Sequence, residues 1–149
     1  MRRFARRVPG VVYLGNCPYG EELARLYRSA DVLVVPGANE TFSLILLEAL
    51  ASGLPVVAAR QGGPAEILRP GCGELARPGD PADFAAKIRS VLAGPPLGPA
   101  CRRHAESHYS WEATFQGLLE VYRSAIADRA SAPPERAGAF SRRLEPAKR

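Results

Sequence analysis

The chain has 149 residues, of which 46% are hydrophobic, enough for one domain with a core of its own. No apolar run approaches the ~18 to 20 residues that span a bilayer, and "VVYL" near the start is too short for a signal-peptide core, so a cytoplasmic protein is expected. The net charge of +5 sits in the ends: residues 1–7 and 129–149 carry +4 each, while 8–128 hold ten basic and thirteen acidic side chains. A nucleic-acid groove, which needs its basic residues on the folded surface, is therefore not expected, and the ends are suited at most to peripheral contact with an anionic membrane.

In chain order, "GVVYLG" (10–15) is a short apolar run between glycines and predicts a buried strand. Residues 19–31 place Leu23, Leu26 and Tyr27 at helical spacing behind acids in the first turn, the mark of an amphipathic helix. "DVLVVPG" (31–37) reads as a strand stopped by Pro36 and Gly37. Residues 43–51 form an apolar helix, with Gly53 suited to its C-terminal cap and Pro55 beyond. "PVVAA" (55–59) and "CGELA" (72–76) are further strands, separated by the glycine turn and short helix of "GGPAEIL" (62–68). Helices follow at 80–94, with Asp80 as N-cap, at 98–109 and at 111–128. The tail from Arg129 is rich in Pro, Ala and Arg and predicts disorder.

This order predicts an α/β fold: a partial parallel sheet of about four strands flanked by helices, followed by C-terminal helices and a disordered tail. The corresponding segments are 1–7, 8–128 and 129–149. Three cysteines, Cys17, Cys72 and Cys101, are few, scattered and odd in number, so no disulfide framework is implied. Cys101, His104 and His108 share one helical face at i, i+3 and i+7, but a fourth zinc ligand is not evident and no metal site is expected.

The helix at 43–51 poses the functional question. It is apolar nearly all round, as a buried helix is, yet carries Glu48 in its body, with Glu40 just before it. A buried carboxylate costs several kcal/mol unless it finds donors or faces a cleft. Two readings fit. Glu40 complements the helix dipole and Glu48 pairs with an arginine elsewhere in the chain. Alternatively, the two serve one extended ligand: an anion at the free N–H groups of Ser43, Leu44 and Ile45, with a ribose diol at Glu48.

The stretch "ADVLVVPGANETFSLILLEALASGLPVVAARQGGPAEIL" resembles the donor-binding half of group 1 retaining glycosyltransferases with two Rossmann-like domains (GT-B). Their pattern is a Glu, seven residues, a second Glu, then Ala-x-Ala-x-Gly-x-Pro-Val-Val, matched by Glu40, Glu48, Ala49, Ala51, Gly53, Pro55, Val56 and Val57. "LGNCPYGEELARLYRSAD", "GELARPGDPADFAAKI" and "YSWEATFQGLLEVY" extend the resemblance over roughly 8–126. It implies a nucleotide-diphosphate sugar as donor, with no metal. Glu40 would be the catalytic carboxylate by the sugar. The donor-binding set would be Glu40, Thr41, Phe42, Ser43, Leu44, Glu48, Gly62 and Gly63, with the Ser43 and Leu44 amides at the diphosphate and Glu48 at the ribose. Ser43 departs from the pattern, which has glycine there; its Cβ is expected to weaken binding.

The resemblance also implies that an acceptor-binding domain and the first strands of the donor domain would precede this stretch. In the 3-2-1-4-5-6 strand order, "VVYL" and "VLVV" would be two strands apart, so either they close up or the sheet keeps a gap. The chain alone is expected to be inactive in transfer. It would work with a separate acceptor-domain polypeptide as half of a split enzyme, or be a non-catalytic nucleotide-binding or interaction fragment.

Overall fold

The computed structural model describes residues 8–131. The basic segment 1–7 and residues 132–149 of the expected disordered tail lie outside the described residues. The chain divides between Glu106 and Ser107 into two compact units.

The first unit is organised by three short parallel strands, β1 (Leu33–Val35), β2 (Val56–Ala59) and β3 (Gly73–Ala76), side by side in that order. Leu33 stands opposite Val56 in one ladder and Val56 opposite Gly73 in the next. Parallel neighbours require crossovers, supplied here by α2 (Leu44–Ala51) and α3 (Gly63–Ile67). All four residues of β2 are buried, as expected of a central parallel strand covered on both faces. Val57 and Ala59, with Ala76 of β3, pack against Phe84 and Val91 of α4 (Pro81–Ala93). Leu46, Ala49 and Leu50 of α2, which packs on β1 and β2, are completely shielded from solvent. A Cβ at Gly73 would fall on the Val56 carbonyl, so β3 can lie this close to β2 only with glycine there.

The helix ends follow the chemistry of their residues. α1 (Glu21–Ser29) opens on two acids and closes on Arg28, and an Arg25–Glu21 ion pair of 2.7 Å joins adjacent turns. At the end of α2, the Gly53 N–H donates to the Leu50 carbonyl and the Leu54 N–H to that of Ala49, both at 2.9 Å, with Gly53 at φ 79°. This is a Schellman closure, in which glycine takes the left-handed position. Asp80 caps α4 by accepting the Asp83 N–H at 3.0 Å, and Pro81 occupies the first turn.

The strand expected at 10–15 does not form. Val11 to Leu14 carry no regular structure and are exposed, Val12 to 78%. Gly10 and Gly15 both take φ 81°, and the Val11 N–H turns back to the Val8 carbonyl. The run neither closes up on β1 nor finds another strand: among the described residues β1 pairs only with β2.

α5 (Gly98–Tyr109) follows, and the described part of the second unit is the end of α5 from Ser107, Ser110 and α6 (Trp111–Ser131). Ser110 caps α6, its Oγ accepting the Ala113 N–H at 3.2 Å, and Trp111 stacks on Phe115 with centroids 5.8 Å apart. α6 reaches Ser131, so 129–131, expected in the disordered tail, are helical. No helix among the described residues is long and apolar enough to cross a membrane.

Candidate functional site

The site residues lie at the two ends of α2. Ahead of the helix, the exposed Glu40 accepts the Gly63 N–H on its carbonyl at 2.9 Å. A Cβ at Gly62 would fall on that same carbonyl, and one at Gly63 would lie 2.7 Å from the Thr41 carbonyl oxygen and 2.8 Å from the Phe42 Cα. Two glycines are therefore what allow the turn before α3 to lie against the loop before α2. The structure brings Glu40, Thr41 and Phe42 together with Gly62 and Gly63.

Ser43 stands at the mouth of α2 in the left-handed region, φ 62° and ψ 71°, where a non-glycine residue is strained by roughly 1–2 kcal/mol. It is only 6% exposed, and its Oγ neither caps the helix nor finds any hydrogen-bond partner. The Leu46 N–H donates to the Ser43 carbonyl at 3.1 Å, and the N–H groups ahead of it carry the positive end of the helix dipole. Leu44 is exposed beside them.

One turn on, Glu48 is half-buried on a helix that carries no basic residue in its last turn. Among the described residues no arginine meets it. Its Oε2 accepts the Tyr27 hydroxyl of α1 at 2.9 Å. Burial, then the hydrogen bond and charge of Glu48, push the Tyr27 phenol well above its ordinary range. Glu48 and Tyr27 line a cavity of about 180 Å³ together with Tyr19, Gly20, Leu23, Ala24 and Ser52. Tyr27 was legible in the sequence only as a packing residue. The signal for more was its type, since a buried tyrosine hydroxyl requires a partner.

Arg60 and Arg69, the first basic residues after the motif, line a different cavity with Glu74, and the Arg60 guanidinium donates to the Leu75 carbonyl. Of the cysteine and histidine face of α5, Cys101 and His104 are used for packing and His108 is exposed. Cys101 is fully buried with its thiol 3.5 Å from the Cys72 carbonyl, and His104 Nε2 lies 2.9 Å from the Ile67 carbonyl. Burial, then the neighbouring Cys72, pushes the Cys101 thiol up to about 12. Among the described residues no three His, Cys, Asp or Glu side chains are grouped to hold a metal ion.

A family model described as "Glycosyl transferases group 1" matches residues 1–94. The D-inositol 3-phosphate glycosyltransferase of Geodermatophilus obscurus is 50% identical over 114 residues, 75% of this chain and 25% of that protein. The enzyme of the same name from Segniliparus rotundus is 42% identical over 116 residues, 75% of this chain and 26% of its own length. This chain thus spans about a quarter of the length of the curated relatives it matches. Among solved structures, sucrose-phosphate synthase from Thermosynechococcus elongatus superimposes with a TM-score of 0.61 and 34% identity, over 71% of this chain and 28% of that one. Anabaena HepE in complex with UDP superimposes at 0.56 with 23% identity, over 67% of this chain and 29% of that one, a likeness of fold.

Proposed function

This chain belongs to the group 1 glycosyl transferases, and we propose that its α2 region holds the donor of a retaining sugar transfer, a nucleoside diphosphate sugar. One observation carries this reading. An otherwise apolar helix presents a half-buried carboxylate, Glu48, to a cavity of about 180 Å³, and the positive end of the helix dipole lies at its mouth.

On this reading Glu48 accepts hydrogen bonds from the ribose diol, the Ser43 and Leu44 amides face the diphosphate, and Glu40 lies by the sugar. Thr41 and Phe42 belong to the loop that the Gly62–Gly63 turn supports beneath the sugar end. Departure of the sugar leaves negative charge on the diphosphate, and the protein's task is to stabilise that charge as it develops. The helix mouth supplies only about half a unit of positive charge. Arg60 and Arg69 line another cavity and do not supplement it. Losing one well-placed stabilising group typically costs about 2.7–4 kcal/mol in such a transition state. We therefore expect residues 1–149 alone to bind a donor without transferring its sugar.

The reading extends to a cytoplasmic setting, with the basic ends at most touching an anionic membrane surface.

The test is calorimetry of the full chain with a panel of nucleoside diphosphates and their sugars. Glu48→Gln should weaken both classes of ligand by ~1.5–3 kcal/mol, about one to two powers of ten in affinity. Glu40→Ala should weaken the nucleotide sugars alone. An unchanged affinity in Glu48→Gln removes the ribose role, and an equal loss of both ligand classes in Glu40→Ala returns Glu40 to a purely dipolar role.

A further inference from the structure

We infer that Tyr27 is a positioning residue for the nucleoside: its hydroxyl anchors one oxygen of Glu48 and so presents the other to the ribose diol. The inference rests on the donor reading above and extends it to a residue on a different helix.

The geometry is specific. Tyr27 is the one buried residue of α1, and its hydroxyl reaches across to α2 to meet Glu48 Oε2 at 2.9 Å. Packing alone asks for an aromatic ring at this position, and phenylalanine would supply it. The hydroxyl is an added feature, and the hydrogen bond to Glu48 offsets the cost of burying it. Only one carboxylate oxygen is engaged: Glu48 Oε1 makes no hydrogen bond to any side chain or backbone group of the described residues. A glutamate held at Oε2 loses its freedom to rotate about its last bond, and Oε1 is left as an acceptor whose place is set. Both partners line the same cavity, so the anchor and the free oxygen belong to one site. The phenol holds its proton far beyond neutral pH, because burial and the adjoining carboxylate both disfavour the phenolate. It is a donor at neutral pH.

A structural link between α1 and α2 would make the same bond, and the two roles differ in what they do to a ligand. A structural bond affects all ligands alike, through stability. A positioning bond affects the part of the ligand that Oε1 reads. The experiment uses the full chain and measures affinity for UDP and GDP and for the 2′,3′-dideoxy form of each, by calorimetry, in wild type, Tyr27→Phe and Glu48→Asp.

The expected result is that wild type prefers the ribose form and that Tyr27→Phe lowers this preference about threefold to tenfold, with little change in affinity for the dideoxy form. Glu48→Asp keeps the charge but withdraws it from the phenol, and should lower the preference likewise. If Tyr27→Phe loses its cooperative melt, Tyr27→Leu, which also lacks the hydroxyl and leaves Glu48 in place, is the deciding variant. A preference retained in the folded variants overturns the inference and leaves the donor reading intact. A wild type that binds no nucleotide, or binds both forms equally, overturns the ribose role of Glu48 and the inference with it.

Discussion

Two apolar runs of four residues, Val11–Leu14 ("VVYL") and Val56–Ala59 ("VVAA"), meet opposite fates. The second is a central strand with every residue buried, while the first is exposed and joins no strand ladder among the described residues. Composition does not separate them, for both begin with two valines and are apolar throughout. What separates them is company. β2 has β1 on one edge, β3 on the other, and Phe84 and Val91 of α4 over Val57 and Ala59. Residues 11–14 lie between two left-handed glycines with no strand beside them. A strand is a property of the sheet that receives it, because each of its N–H and C=O groups needs a partner across the ladder.

The contrast can be broken most severely by placing a charge in each run. Val57→Asp buries an unpaired carboxylate and should destabilise the chain by ~3–5 kcal/mol, whereas Val12→Asp should change stability by less than ~0.5 kcal/mol. Urea titrations of the two variants make the comparison directly, and similar losses in both would mean that 11–14 is buried in solution. A smaller effect tests whether complete burial implies relaxation. Ser43 is buried but strained, and Ser43→Gly removes both the left-handed Cβ and the orphaned hydroxyl. It should raise stability by ~1–2 kcal/mol in the same titration, net of the added freedom of the unfolded chain.

The smallest effect concerns the start of α4, the helix that covers β2. The Asp83 carboxylate is held below its usual range, first by the Arg77 N–H at 2.7 Å and then by the charges of Arg77 and Lys87. A carboxylate lowered on folding contributes stability above its unfolded range and loses it as pH falls through the folded value. Melting temperatures of wild type and Asp83→Asn should therefore differ at neutral pH and converge in acid. A gap that persists in acid would mean that Asp83 acts through its shape and not its charge.

The parts of the fold legible in the sequence were those set by neighbours a few residues away. Gly53 and Pro55 announced the end of α2, Asp80 and Pro81 the start of α4, and the valines of β2 their own burial. The parts that were not legible depend on contacts distant in the chain. "VVYL" reads as a strand because hydrophobicity and bracketing glycines are local, while the lack of a partner strand is not. Tyr27 reads as packing because its spacing from Leu23 is local, while Glu48 is 21 residues away. Ser43 could be marked as a departure from a glycine pattern. Its positive φ, the physical reason glycine suits that position, required the backbone itself.

The two ends of α2 are both tied down, the mouth by the Gly63–Glu40 hydrogen bond and the foot by the closure at Gly53 and Leu54. The helix between them is thus a gauge of phase as well as of length. Each residue advances the axis by about 1.5 Å and turns it by about 100°. A single residue inserted between Ser43 and Glu48 would lengthen the site only slightly, but would swing the carboxylate about a quarter-turn from Tyr27 and the cavity they share. Insertions here should be far less tolerated than substitutions of equal bulk, because angle is the quantity a helix pinned at both ends cannot readjust.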